Sequence, residues 1–227
     1  MMAKTILDVS RWQGSIDWDK VKASGKVDGV MLKTVSTNRK LSNRKDGLYI
    51  DPTFERNYSE CKRLGIPVGV YYYTYATDKQ MADAELALLK TALTGKTFEL
   101  PISVDVEDNK LRKLGKQALT DLTVYALATI EQWGFYAMLY VGLYFAQTEL
   151  YMGGAALRKY DVWLARYPSD KSKTKPEDKP KTNFAFGMWQ YTSTGHVAGI
   201  DGPVDLSRAY KDYPALCRRA GLGRFSG

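Results

Sequence analysis

Short apolar, β-branched and aromatic runs alternate along this chain with segments of helical periodicity, and this alternation restricts the possible folds more than any other feature. Strands buried on both faces read as continuous apolar runs, whereas helices that cover a sheet repeat an apolar residue every three or four positions. The pattern therefore indicates a parallel sheet covered by helices. The predicted strands are 5–9, 29–34, 67–73, 100–106 and 136–141, and the predicted helices are 18–23, 52–64, 79–93 and 116–133.

The rhythm changes after residue 141. A shorter helical stretch at 143–151 is followed by strand-like segments at 161–166, 184–191 and, briefly, 196–198, joined by loops rather than by long helices. We therefore expect an α/β fold, an irregular TIM-like barrel with five βα units followed by three strands. The length of 227 residues suits one barrel domain over 1–227 better than two small domains, and the tail after residue 212 reads as a short helix.

Two carboxylates end the fourth predicted strand. Side chains two residues apart on a strand point the same way, about 7 Å apart along the chain, so Asp105 and Glu107 share a face. Mutual repulsion and burial should leave one of them protonated near neutral pH. A group of this kind can protonate a leaving group in glycoside hydrolysis. Taken alone, an Asp-x-Glu sequence is more often a helix cap or an ion-paired strand end.

Two further acids occupy comparable positions. Asp8 closes the first predicted strand, and Asp205 follows the last one. Because functional residues of parallel barrels gather where strands end, all four acids should meet at one rim. The chain has one histidine, so zinc sites and histidine-dependent triads are improbable, and no metal or organic cofactor is expected. We interpret the two cysteines, Cys61 and Cys217, as free thiols rather than a disulfide.

The formal net charge is +8, which would suit nucleic acid or another anionic polymer. The basic residues are scattered, and no nucleic-acid motif is present, so nucleic-acid binding is not favoured. No apolar stretch approaches the 18 or more residues of a membrane span, so no membrane insertion is expected. The segment Met1 to Lys4 lacks an apolar signal-peptide region, which favours synthesis in the cytoplasm without a signal peptide.

Six segments in a fixed order resemble glycoside hydrolase family 25, the Chalaropsis-type lysozymes. The resemblance runs from Asp8 to about Asp205 and is most specific in the opening motif. The segments are DVSRWQGSIDW at 8–18, VGVYYY at 68–73, Asp105 with Glu107, WLARY at 163–167, MWQYTS at 188–193 and GPVDL at 202–206.

The resemblance implies an N-acetylmuramidase, similar to phage endolysins, that hydrolyses the β-1,4 bond between N-acetylmuramic acid and N-acetylglucosamine in the peptidoglycan of bacterial cell walls. It implies Glu107 as general acid, Asp105 as its close partner, and Asp8 and Asp205 as the remaining pocket carboxylates. A substrate-assisted mechanism is favoured, in which the acetamido oxygen attacks the anomeric carbon. An inverting reaction, with Asp8 or Asp205 activating water, stays open. If the protein is phage-encoded, a holin-type partner would release it to the wall.

Several aromatic and polar residues near strand ends are candidates for sugar binding, because aromatic faces stack on pyranose rings. Many of them would equally serve as core packing. A non-catalytic module that binds cell-wall glycan is the alternative function, disfavoured because all four acids are present. No separate cell-wall-binding domain is recognisable. The substrate-binding candidates are Tyr71, Tyr73, Lys33, Tyr140, Trp163, Trp189 and Gln190.

One residue and one three-residue segment depart from the family pattern. Tyr72 stands where family members often carry histidine, and residues 35–37, Val-Ser-Thr, replace a Thr-Glu-Gly. We expect Tyr72 to point outward into helix packing and the loop after Lys33 to be reshaped.

Overall fold

The computed structural model describes residues 3–170 and 172–225. Met1 and Met2 belong to the segment predicted to lack a signal peptide, and they lie outside this range. Eight of the ten strands in these ranges close into a barrel in the order β1-β10-β9-β8-β7-β6-β5-β2. The strands are β1 Lys4–Val9, β2 Gly29–Lys33, β3 Val35–Thr37, β4 Leu48–Ile50, β5 Val68–Tyr73, β6 Ile102–Asp105, β7 Ala137–Gly142, β8 Asp161–Ala165, β9 Met188–Gly195 and β10 Val204–Ala209. The helices are α1 Trp18–Ala23, α2 Phe54–Arg63, α3 Lys79–Leu93, α4 Lys116–Gln132, α5 Leu143–Glu149, α6 Ala155–Arg158 and α7 Tyr213–Ala220.

The strand directions confirm the predicted architecture. The contacts β1–β2, β2–β5, β5–β6, β6–β7, β7–β8 and β8–β9 are all parallel. Each of the first five barrel strands is followed by a helix, and β10 then closes the barrel by pairing antiparallel with both β9 and β1. The result is five βα units followed by three strands. The proposal of one catalytic domain over 1–227 stays a prediction.

The prediction for the last strand is wrong. Residues 196–203 form a loop, and the strand is β10, so Asp205 lies near the start of a strand rather than after one. Gly199 and Gly202 adopt positive φ angles of 92° and 86° in this loop, which is incompatible with a strand. The amide of Asp17 donates to the carbonyl of Gly199 at 2.8 Å, so the loop docks against the start of α1.

A two-stranded hairpin, β3–β4, was not predicted and follows directly after Lys33. It occupies the segment in which the sequence departs from the family pattern. Thr34 donates its amide to the carbonyl of Tyr71, and Asp51 donates its amide to the carbonyl of Thr34 at 2.6 Å. The second bond therefore closes the base of the hairpin, and the first ties that base to β5 of the barrel.

Side-chain alternation divides each barrel strand between two cores. On β5, Val70 and Tyr72 pack outward with the helices, so Tyr72 lies where it was expected. Gly69 and Tyr71 face the barrel interior. A Cβ at Gly69 would stand 2.6 Å from the sulfur of Met31 and 2.6 Å from the carbonyl oxygen of Pro101. The interior is thus filled by large residues from neighbouring strands, and only glycine fits at this position.

Two smaller features complete the fold. Cys61 and Cys217 are both buried and free, as predicted. Within the described ranges, no helix is both long and apolar enough to cross a bilayer.

Candidate active site

The rim formed by the carboxyl ends of the parallel strands holds all four predicted acids. Asp8, near the end of β1, pairs directly with Asp205 near the start of β10, because β10 runs in the opposite direction. Asp105 ends β6, on another part of the barrel wall, and Glu107 follows two residues later. The acids come from the first strand, the middle strand and the last strand, and the closure of the barrel brings them together.

A hydrogen-bond network centred on Gln190 fixes Asp8. The Gln190 amide nitrogen donates to Asp8 Oδ2 at 2.9 Å. The Gln190 carbonyl oxygen accepts hydrogen bonds from the hydroxyls of Tyr140 at 2.9 Å and Tyr167 at 2.8 Å. With both oxygen lone pairs engaged, the amide orientation is set, so Gln190 presents a donor to the carboxylate. Gln190 is fully buried, so the network is rigid. We call these four hydrogen-bonded residues, Asp8, Gln190, Tyr140 and Tyr167, the floor of the site.

Asp105 is also buried but is held less firmly. Its neighbours in register are Tyr73 on β5 and Tyr140 on β7. Asp105 Oδ1 is buried and makes no hydrogen bond to any residue of 3–170 or 172–225. Glu107 stands beside it with a solvent-exposed side chain. One acid of the pair is therefore enclosed, and the other faces the solvent.

Burial raises the pKa of each of these four carboxyl groups. For Asp8, loss of hydration is the largest cause, followed by repulsion from Asp205. For Asp105, loss of hydration comes first and repulsion from Glu107 second, and its pKa is raised well above the ordinary value. Loss of hydration raises the pKa of Asp205 to about 6. The same cause raises the pKa of Glu107 despite its exposure, because the carboxyl group lies in a concave surface. Such a cluster keeps protons near neutral pH.

Lys33 opposes this repulsion. Its charge lowers the pKa values of Asp8, Asp105 and Glu107. Its ammonium group lies over the rings of Tyr71 at 5.9 Å and Tyr73 at 5.1 Å. One cation thus lies within electrostatic reach of three acids, which lets the cluster carry a negative charge.

A cleft of about 630 Å³ opens beside Glu107. It lies over the ends of β7 and β8, and the hydroxyl-bearing rings of Tyr140 and Tyr167 form part of its wall. The volume falls within the usual range for ligand pockets. The lining residues are Glu107, Arg112, Tyr140, Gly142, Leu143, Tyr144, Phe145, Gln147, Ala165, Arg166 and Tyr167.

The structure places the predicted sugar-binding residues at different depths. Tyr71, Tyr73, Lys33, Tyr140 and Gln190 lie at the rim or directly beneath it. The remaining two, both tryptophans, lie deeper or on the other side of the sheet.

The two tryptophans have internal partners. Trp163 is fully buried inside the barrel and packs edge-on against the ring of Tyr140 at 4.7 Å, while its indole N–H donates to Ser207 Oγ at 2.9 Å. Trp189 lies on the opposite face of β9 from Gln190, is 1% exposed, and donates its indole N–H to the carbonyl of Arg166 at 2.8 Å. We therefore assign Trp163 to the support beneath the floor and leave Trp189 out of the proposed sugar contacts.

Tyr167 was not among the predicted site residues, although it ends one of the recognised motifs. The signal was the alternation Trp163, Ala165, Tyr167, which places Tyr167 on the interior side of the barrel wall. Arg112 and Tyr144 were also missed, because they lie on a short helical turn and on α5 rather than at strand ends.

Glu85 on α3 anchors the loop that follows Tyr73. It is 2% exposed and accepts hydrogen bonds from the Thr74 hydroxyl at 2.6 Å and from the Tyr75 amide at 2.9 Å. The ring of Tyr75 lies 4.8 Å from that of Tyr73 at the rim. Burial raises the pKa of Glu85 to about 7, only partly offset by these hydrogen bonds.

Glu85 should make stability depend on pH. Between its ordinary pKa of 4.5 and about 7, the folded state binds the proton more tightly than the unfolded state, so stability falls as pH rises through this window. A full shift corresponds to about 3 kcal/mol, and roughly 2–4 °C of melting temperature accompanies each kcal/mol. We expect the melting temperature of the parent to fall by several degrees relative to that of Glu85→Gln when the pH is raised from 5 to 8. Differential scanning calorimetry at both pH values measures this, with exposed Glu177→Gln as control. If the melting temperatures of the parent and Glu85→Gln differed by the same amount at both pH values, the raised pKa of Glu85 would be contradicted.

The family model described as "Glycosyl hydrolases family 25" matches residues 7–200. The chain belongs to glycosyl hydrolase family 25. It is therefore a glycoside hydrolase, and the rim acids are its candidate catalytic groups. Within residues 3–170 and 172–225, no cluster of three or more His, Cys, Asp or Glu side chains could hold a metal ion.

Three similar proteins place this family 25 chain among relatives. It is 28% identical over 202 residues to the protein YegX of Escherichia coli K12, covering 88% of this chain and 67% of the relative. It is 25% identical over 201 residues to the autolytic lysozyme of Clostridium acetobutylicum, covering 88% of this chain and 54% of that protein. The modular autolysin LytC of Streptococcus pneumoniae shares its fold with a TM-score of 0.72 and 28% identity, over 92% of this chain and 47% of LytC. The chain thus spans about half to two thirds of these relatives.

Proposed function

We propose that the chain is a lysozyme that hydrolyses the β-1,4 bond between N-acetylmuramic acid and N-acetylglucosamine in bacterial peptidoglycan. The observation that carries the proposal is the pair at the end of β6, in which enclosed Asp105 lies beside cleft-facing Glu107. The autolytic lysozyme and the autolysin among the relatives support this substrate, and a structure of LytC is known in complex with a synthetic peptidoglycan ligand.

The first chemical step would use both acids of the pair. Glu107, whose raised pKa favours the protonated form, donates its proton to the glycosidic oxygen as the bond to the anomeric carbon breaks. The carbonyl oxygen of the neighbouring 2-acetamido group attacks the same carbon and forms an oxazolinium ion. Asp105 Oδ1, which is buried and without a partner among the described residues, would accept the acetamido N–H. This hydrogen bond favours the ionised form of Asp105, whose carboxylate would then balance the positive charge once the substrate is bound.

The second step would return the enzyme to its starting state. Water attacks the anomeric carbon and gives a proton to the Glu107 carboxylate, while the electron pair returns to the acetamido group. Two displacements at one carbon retain its configuration. The firm binding of Asp8 by Gln190 suits a structural and electrostatic role better than activation of a mobile water. An inverting enzyme would instead need Asp8 or Asp205 as the base.

The test uses purified Gram-positive peptidoglycan as the substrate. We expect turbidity to fall and, after borohydride reduction of the products, the new ends to be muramitol. Proton NMR during the reaction should show the β-anomer first, and de-N-acetylation of the muramic acid residues should abolish cleavage. Glucosaminitol ends would show a glucosaminidase instead. Binding of the wall without release of fragments would favour the non-catalytic module, and the α-anomer as first product would establish inversion.

A further inference from the structure

The cleft beside Glu107 carries an uncompensated positive charge. Arg166 follows β8, lines the cleft and is exposed. Its backbone is engaged, since its amide donates to the Gln190 carbonyl and its own carbonyl accepts from Trp189. Its guanidinium makes no hydrogen bond or ion pair with any residue in 3–170 or 172–225. Five N–H donors are therefore free on a cleft wall that also contains the proposed general acid.

A second arginine on the same cleft is held in place by its neighbours. The guanidinium of Arg112 lies 5.5 Å from the ring of Tyr144 and 5.2 Å from that of Phe145, and it pairs with Glu149 at 3.4 Å. This ion pair neutralises part of its charge, so Arg166 contributes most of the unbalanced charge. Tyr144 is 66% exposed at the cleft edge, which leaves a large ring face open to a ligand.

A free guanidinium in the same cleft as an exposed aromatic ring favours a carboxylate attached to a bulky group. The N-acetylated sugar rings of peptidoglycan are uncharged, and its carboxylates are carried by the lactyl substituent of muramic acid. They lie on the peptide stem or, where the stem has been removed, on the lactyl group itself. Both sources present the same chemistry to an arginine.

Resting on the proposed muramidase function, we infer that Arg166, supported by Arg112 and Tyr144, binds a carboxylate of the peptide stem on the muramic acid residue in the cleft. This contact would make the enzyme prefer stem-bearing glycan to bare glycan. It would also weaken with salt, because the guanidinium is exposed.

The test compares three glycans of equal chain length. The first carries peptide stems, the second has been treated with an amidase and carries free lactyl groups, and the third has those lactyl groups converted to methylamides. We expect Arg166→Gln to lower kcat/KM on the stem-bearing glycan by about ten-fold while leaving the methylamide unchanged. Arg166→Lys should recover only part of the loss, because a lysine ammonium cannot form the two parallel hydrogen bonds that a guanidinium makes to a carboxylate. Exposed Arg219→Gln on α7 removes the same charge elsewhere and should change nothing.

Three results would overturn the inference. Equal losses on all three glycans would mean that Arg166 contacts the sugar backbone or is needed for folding. A lowered melting temperature of the variant would identify the folding role. A loss confined to the free lactyl glycan would move the contact from the stem to the lactyl carboxylate. No loss of kcat/KM on any glycan would show that Arg166 binds none of these carboxylates. If the parent itself produced no muramic acid ends from any glycan, the proposed muramidase function would fail instead.

Discussion

Glu107→Gln should lower kcat for glycan hydrolysis by about 10²–10⁴-fold, the usual contribution of a general acid. Glutamine keeps the size and polarity of the side chain but cannot give a proton to the leaving oxygen. Because Glu107 is exposed at the cleft and its raised pKa means that its charge opposes folding, the substitution should not lower the melting temperature. The rate of new reducing ends on purified peptidoglycan measures the effect, with exposed Glu177→Gln as the matched control.

The pH profile and the leaving group make this test more specific. The general acid must be protonated, so the parent's activity should fall as pH rises through the raised pKa of Glu107, and the variant should lose this basic limb. A 2,4-dinitrophenyl glycoside needs little protonation of its leaving group, so the variant should recover much of its activity on it. A variant as active as the parent on peptidoglycan would remove Glu107 from the acid role.

The barrel could be predicted because its signals are local. Apolar runs and helical periodicity identify the first five βα units without any knowledge of the tertiary structure. The last strand, β10, was missed because its interior positions are polar. Asp205 lies at the acid cluster and Ser207 accepts the hydrogen bond from Trp163, so the segment does not read as an apolar run.

The same alternation explains which site residues were predicted well. Tyr71 and Tyr73 share the interior face of β5, whereas Trp189 and Gln190 are adjacent on β9 and must face opposite sides of the sheet. Naming both as sugar contacts overlooked this constraint. The bond between Gln190 and Asp8 joins residues 182 positions apart, which no local pattern could indicate.

The cleft beyond Glu107 illustrates a different limit. Its arginines come from a helical turn before α4 and from the segment after β8, and each alone reads as an ordinary surface charge. Only the closed barrel shows that Arg112 and Arg166 line one cavity. Whether a charge is compensated depends on its neighbours in space, so the structure was needed to identify Arg166 as free.

Asp105→Asn should lower kcat by about 10²–10³-fold, comparable to the loss of one preorganised charge-stabilising group. An asparagine cannot balance the positive charge of an oxazolinium ion, and one side of its amide presents hydrogens to the acetamido N–H. Because the acetamido group is held mainly by the rest of the cleft, KM should change much less than kcat. Reducing-end release at saturating and limiting substrate separates the two constants.

A matched set of variants decides between the two mechanisms. Substrate assistance requires Asp105→Asn to cost more than Asp205→Asn, with retention of configuration in whatever product forms. Asp8 is fixed by Gln190, so Asp8→Asn also disturbs the floor, and its melting temperature must be compared with that of Asp105→Asn. If Asp205→Asn or a stable Asp8→Asn were the most damaging change and the first product were the α-anomer, one of these acids would be the base for water. The enclosed Asp105 would then act only by holding the proton on Glu107, since repulsion between the two carboxylates disfavours ionisation of both.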